Sequence, residues 1–204
     1  MSAAPKHNSQ VCLMNELIHF DPSKPTAPYS VQILVAVAIV ILTNLVYKTI
    51  MKFFPTTVND NVDEDRKFEY SALKNKGVSV SKLALAEIFN GTIYAPIAEE
   101  LFFRFFLMKI LFVRKLKMNV HIANVAQASI FGVLHLTNTV YSDQGPRFSA
   151  AQSLSSFIIG LISGVSYIQT NSILPALIAH MINNLWACTY QVQSYKGYLE
   201  GKTN

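Results

Sequence analysis

The chain has 204 residues, of which 51% are hydrophobic and only 14% charged, and its formal net charge is +5. Soluble domains carry about 25% charged residues, so this balance excludes an ordinary cytosolic domain. Cys12 and Cys188 give neither a disulfide framework nor a metal-ligand spacing. Lysines and arginines flank apolar runs as interfacial anchors do, and form no patch with interleaved aromatics, so nucleic acid is not an expected partner.

Taken in order, residues 1–30 form a polar N-terminal tail with Pro5, Pro22, Pro25 and Pro28. It lacks the basic start, short apolar core and cleavage site of a secretory signal. His7 and His19 fall in this tail and receive no role. Residues 31–54 hold the first span, whose run "VQILVAVAIVILTNLVY" (Val31–Tyr47) is long enough to cross a hydrocarbon core of about 30 Å. Residues 55–82 read as a polar, solvated loop with an acidic knot at Asp60–Tyr70.

Four further apolar stretches follow, Leu83–Val113, Val120–Thr137, Ala150–Thr170 and Ile173–Gln191, separated by "RKLKM", "NTVYSDQGPRFS" and "NS". They delimit a core at 83–191, and 192–204 reads as a polar C-terminal tail. The first of them would be about 46 Å long as a helix, too long for one upright span. A single tilted helix kinked near Pro96 is favoured over a partial insertion followed by a span. The expected fold is all-α: an integral, multi-pass membrane helix bundle of five or six transmembrane helices with a four-helix core, and the lipid bilayer as its first partner.

Ionisable side chains inside such a bundle are costly and face its interior with a partner. The second apolar stretch carries Glu99, Glu100 and Arg104, the third His135, and the last His180 and Asn184. Measured from the "RKLKM" turn, Glu99 lies about 21 Å deep and His135 about 22 Å. Measured from Ser172, His180 lies about 12 Å deep and Asn184 about 18 Å, so a modest tilt gathers all of them in one layer. Glu100 and Arg104 are four apart and stack on one helical face. That leaves Glu99 as a carboxylate in a poorly solvated site, suited to act as general base toward water. His180 and Asn184, also four apart, can share a cavity and donate to a developing oxyanion. With a water held between Glu99 and His135, the constellation fits hydrolysis of an amide bond.

The motifs read "EELFFR" (EExxxR, Glu99–Arg104), "FGVLH" (FxxxH, Phe131–His135) and "HMINN" (HxxxN, His180–Asn184). In this order and setting they resemble the CAAX-protease and bacteriocin-processing family, also called the Abi family, which includes the type II CAAX prenyl endopeptidase and bacterial immunity proteins. The resemblance covers about Leu83 to Gln191. It implies an intramembrane endopeptidase acting on a membrane-associated protein or peptide, one that carries a prenylated CAAX-type end among the candidates. It also implies Glu99 as catalytic glutamate, His135 as its partner on the water, His180 and Asn184 as the oxyanion site, and Glu100 and Arg104 as support. The favoured reading has no cofactor. It leaves a divalent metal such as zinc open, with Glu99, His135 and His180 as the ligands. Many members follow the motif arginine with glycine; here Phe105 follows, so local packing is expected to differ.

Other readings compete. The ionic cluster alone is also what a register-setting salt-bridge network looks like, and His180 with Asn184 what interhelical hydrogen-bonding glue looks like. A non-catalytic membrane scaffold or immunity-type protein that keeps the family core is the main alternative. A proton-coupled transporter is disfavoured by the lack of an inverted repeat. Phe131 is expected as packing, His121 as interfacial, Trp186 and Tyr190 as core or belt aromatics. Gly160 and Gly164 form a small-xxx-small pair for close helix contact.

Overall fold

The computed structural model describes residues 8–54, 71–137 and 146–199, and no strand occurs among them. The acidic knot at Asp60–Tyr70, the turn at 138–145 and His7 lie outside the described residues. Helix α1 (Asn8–Ile18) precedes α2 (Tyr29–Phe53). Residues 80–115 form one unbroken helix, α3, built from Val80–Phe89, Asn90–Tyr94, Ala95–Glu100 and Leu101–Lys115, with right-handed helical angles at every junction. Then come α4 (Val120–Leu136), α5 (Pro146–Thr170) and α6 (Leu174–Leu199). The single long helix expected through Pro96 is the one that forms. Helix α6 continues eight residues past Gln191, where the apolar pattern ends.

The polarity of the bundle is inverted relative to a water-soluble protein. Its fully buried side chains include Gln32, Thr43, Asn124 and Gln127, while Leu34, Ile41, Leu45, Val133 and Trp186 (79% exposed) point outward. Large exposed apolar surfaces are avoided in water, and lipid is the solvent that permits them. In lipid, backbone polar groups must be satisfied in helices or a closed barrel, and the described residues form helices. Tyr29–Phe53 and Ser149–Thr170 are long and apolar enough to cross a membrane, and Val120–Leu136 is apolar but shorter. The architecture is an all-α membrane helix bundle.

Pro96 explains the first irregularity of α3. Proline has no N–H, and its ring crowds the carbonyl four residues back. Immediately upstream, over Asn90–Tyr94, the helix widens to π winding, with Ala95 N–H donating five residues back to Asn90 O. π turns of this kind occur mostly as local insertions near functional sites. A second, longer π stretch covers Leu101–Lys115. It closes with Leu116 N–H on Leu111 O at 2.9 Å and Met118 N–H on Phe112 O at 2.9 Å, with Lys117 in the left-handed region at φ 55°. Asn119 then caps α4, its side chain accepting from His121 N–H at 2.9 Å.

Helices α4 and α5 make the closest seam. Asn124 Nδ2 donates to Leu161 O at 3.0 Å, and Gln127 Nε2 donates to Gly160 O at 3.0 Å and to Asn124 Oδ1 at 2.8 Å. A Cβ at Gly164 would lie 1.7 Å from Asn124 Oδ1, so the small pair Gly160 and Gly164 is what lets these polar groups reach across.

The N-terminal residues are not a free tail. Lys109, 1% exposed, sends its ammonium to the carbonyls of Glu16 and His19 and to the Glu16 carboxylate, capping the C-terminus of α1 where the helix dipole favours a cation. Arg114 Nη1 lies 2.8 Å from Glu16 Oε2. On the α5–α6 turn, Asn171 takes the left-handed conformation (φ 52°), which asparagine tolerates. It accepts from Asp21 N–H at 2.7 Å and donates to the carbonyls of Asp21 (2.9 Å) and Lys24 (3.0 Å). Ala27 N–H reaches Thr170 O, Ile173 N–H reaches Ile18 O, and His19 Nδ1 lies 3.0 Å from Asn171 O. The start of α2, the end of α3 and the α5–α6 turn therefore share one end of the bundle, tied together by residues 16–28.

Two outcomes follow. Gly164→Ala should push Asn124 off Leu161 O and cost about 1–3 kcal/mol of stability, measured by thermal unfolding in detergent. The Arg114 guanidinium bonded to Glu16 holds that carboxyl below its ordinary value of 4.5, against the opposing effect of burial. A lowered carboxyl stabilises the fold above its unfolded value and loses that contribution as pH falls through the folded value. Limited proteolysis should therefore find the N-terminal segment protected above about pH 5 and released progressively below about pH 4, with Glu16→Gln removing that pH step.

Candidate active site

Three helices supply the site. Helix α3 presents Glu99, Glu100 and Arg104, α4 presents Phe131 and His135, and α6 presents His180 and Asn184. Glu100 is 1% exposed and Arg104 0%. The Arg104 Nε to Glu100 Oε2 separation is 3.1 Å, an ion pair whose angles fall short of an aligned hydrogen bond. Arg104 Nη1 and Nη2 have no acceptor among the described residues, and the guanidinium carbon lies 5.3 Å from the Phe131 ring centroid.

The second oxygen of Glu100 belongs to another helix. His180 Nδ1 lies 2.9 Å from Glu100 Oε1, with Nδ1–H as the donor, while His180 Nε2 faces Glu99 Oε2 at 3.6 Å. One imidazole thus bridges two carboxylates. The His180–Glu99 separation is longer than a hydrogen bond, and Glu99 Oε2 has no hydrogen-bond partner among the described residues. The buried carboxylate of Glu100 is satisfied from two helices, by Arg104 on α3 and by His180 on α6, as a low-dielectric site requires.

His135 sits near the end of α4, its Nδ1–H donating to Phe131 O at 2.8 Å. This leaves Nε2 with its lone pair. Phe131 is packing, as its position in the sequence suggests, but it is the packing centre of the site. Its ring centroid is 4.7 Å from Phe103, 4.7 Å from His135 and 6.3 Å from His180, each edge-on. Asn184 Nδ2 donates to Gly91 O at 2.9 Å, one turn of α6 beyond His180. Glu99 thus faces His180, and none of the hydrogen bonds among described residues joins it to His135.

Glu99, His135 and His180 are the side chains that would hold a divalent metal such as zinc. Among the described residues no three His, Cys, Asp or Glu side chains gather as a ligand set. His180 Nδ1 is turned to Glu100 and His135 Nδ1 to a backbone carbonyl, which leaves Nε2 as the outer nitrogen of each ring.

One signal in the sequence bears on this site and does not come from α-helical spacing. Glu99, Arg104, Lys109 and Arg114 recur every five residues. In an α-helix such residues point about 140° apart. The π winding of Leu101–Lys115 brings positions five apart closer together round the helix than α winding does, and Arg104 and Lys109 are both buried. Phe105, where many family members have glycine, is half-buried with the Lys109 ammonium 5.3 Å from its ring centroid.

Fold and site together define a membrane-embedded helix bundle with a carboxylate–histidine cluster at its centre. The family model for type II CAAX prenyl endopeptidase Rce1-like proteins matches residues 81–186, just over half of the chain, and spans all three motifs. This chain belongs to that family, which is a family of membrane peptidases. No curated protein and no solved structure gives a significant match.

Breaking the Glu100–Arg104 pair leaves a buried charge uncompensated. Glu100→Gln and Arg104→Met should each lose about 3–5 kcal/mol, whereas Glu99→Gln, at the partly exposed end of the cluster, should stay within about 0.5 kcal/mol of wild type. Unfolding in detergent, followed by helical circular dichroism, checks the contrast.

Proposed function

We propose that this protein is a multi-pass intramembrane endopeptidase that hydrolyses a peptide bond near the end of a membrane-associated protein or peptide, a prenylated CAAX-type end being the substrate class that its family suggests. The observation that carries this reading is the His180 imidazole held between Glu99 and Glu100. A carboxylate that orients a histidine while a second carboxylate faces its outer nitrogen suits an acid–base device, and a structural salt bridge needs only one of the two glutamates.

In this reading, Glu99 takes a proton from water as the oxygen attacks the carbonyl carbon. His135, with Nε2 free to accept, holds the water's other proton. The proton on His180 Nε2 and the second N–H of Asn184 stabilise the oxyanion of the tetrahedral intermediate. When the intermediate collapses, the C–N bond breaks and the proton held by Glu99 passes to the leaving amine. Glu100 and Arg104 keep His180 in place and leave no net charge in the bundle.

The test is cleavage of a panel of prenylated C-terminal peptides by the purified protein in detergent, beside Glu99→Gln, each with and without a strong chelator. General acid–base loss predicts a fall of about 100-fold or more for Glu99→Gln in a protein that remains folded, and the same turnover with and without chelator. Undiminished cleavage by Glu99→Gln would overturn the assignment.

A further inference from the structure

Among the described contacts that hold α3 against α6 at the site, one is unusual in what it bonds. The Asn184 amide donates to the main-chain carbonyl of Gly91, in the middle of α3, where a carbonyl ordinarily has its own helical donor. In α winding that donor would be Ala95 N–H. Here Ala95 N–H is given to Asn90 O, because the helix has widened over Asn90–Tyr94. In π winding the donor would be the N–H five residues on, and that residue is Pro96, which has none. Gly91 O is therefore left without either intrahelical donor.

We propose that Asn184 replaces the N–H that Pro96 lacks, and that Pro96 and Gly91 are positioning residues for Asn184. The proline and the π turn together present an open carbonyl toward α6, and the asparagine closes it. The bond fixes the rotation of the amide, so its remaining N–H and its carbonyl take set directions one turn of helix from His180.

Glycine at position 91 is part of the device. A Cβ there would lie 2.4 Å from Cys188 Sγ, so a larger residue would require the Cys188 side chain to move, and glycine leaves α6 close enough for a short asparagine side chain to reach the backbone. An orphaned buried carbonyl is costly, so the bond has a clear driving force in lipid. The Glu100–His180 contact anchors α6 to α3 at one point, and Asn183 on Thr43 anchors it to α2. The Gly91–Asn184 bond supplies a second point on α3. This role rests on the peptidase reading only where turnover is concerned.

The experiment is a double-mutant cycle of Pro96→Ala, Asn184→Ala and the pair, read in detergent by unfolding and by the side-chain amide resonance of Asn184. Pro96→Ala restores an N–H beside Gly91 O. The Asn184 amide resonance should then move to the position of a solvent-exposed amide, and Asn184→Ala should cost clearly less stability in the Pro96→Ala background than in wild type. With a cleavable peptide, Pro96→Ala should lower kcat by about tenfold with KM little changed, since Asn184 would lose its orientation. Equal stability costs in the two backgrounds, or an unmoved Asn184 resonance in Pro96→Ala, would overturn the proposal. If the cycle is non-additive and the resonance moves while no peptide is cleaved, the coupling stands and the peptidase reading falls.

Discussion

The structure turns on one carboxylate. Glu100 is buried in a lipid-facing bundle, where an unpaired charge is very costly, and it is satisfied from two directions, by Arg104 on its own helix and by His180 on α6. Arg104 needs only local spacing, but His180 needs α3 and α6 to meet at one point. That requirement reaches outward. It calls for a ring between the helices, which Phe131 supplies while touching Arg104 and both imidazoles. It also brings α6 against the backbone of α3 at Gly91, where a larger residue would collide with Cys188.

Around this centre the bundle is stabilised by the means open to a protein in lipid. Apolar side chains gain little by moving from lipid to protein, so close packing at small residues and interhelical hydrogen bonds do the work. The Asn124–Gln127–Gly160 contacts join α4 to α5, and Asn183 Nδ2 donates to Thr43 Oγ1 at 2.8 Å between α6 and α2. At one end, water-facing chemistry takes over. Lys109, Arg114 and Asn171 grip residues 16–28, so the N-terminal segment bridges the end of the helix with the glutamates and the start of the helix with His180. The two halves of the cluster are thus related by a contact at the site and by a clamp outside it.

The helical winding of α3 is the least expected feature and connects these observations. Proline at 96 forces the first widening, and that widening exposes the Gly91 carbonyl. The second draws Arg104 and Lys109, five residues apart, toward one side of the helix between the site and the clamp. Family membership accounts for the glutamates and histidines. It does not by itself account for the five-residue register or for Phe105 under Lys109.

By itself the sequence determined the solvent, the helical class and the contents of the centre. Long apolar runs with few charges require lipid, and lipid requires helices. An i,i+4 glutamate and arginine in such a run can pair without help from the rest of the chain. Only the tertiary structure decided how those groups are shared. His180 turned to both glutamates, His135 turned to Phe131 O, and Asn184 was taken up by a backbone carbonyl. The His180 and Asn184 contacts cross from α6 to α3, and no count along the chain fixes them, whereas His135 bonds within its own helix. The N-terminal segment was hidden for the same reason. Its polar residues look solvated until Lys109 and Asn171, about 90 and 150 positions away, are brought beside them. Spacing rules reach as far as one helix with a known turn. Rotation between helices, and the change of turn within α3, are set by which buried polar groups find each other, and that is a property of the folded bundle.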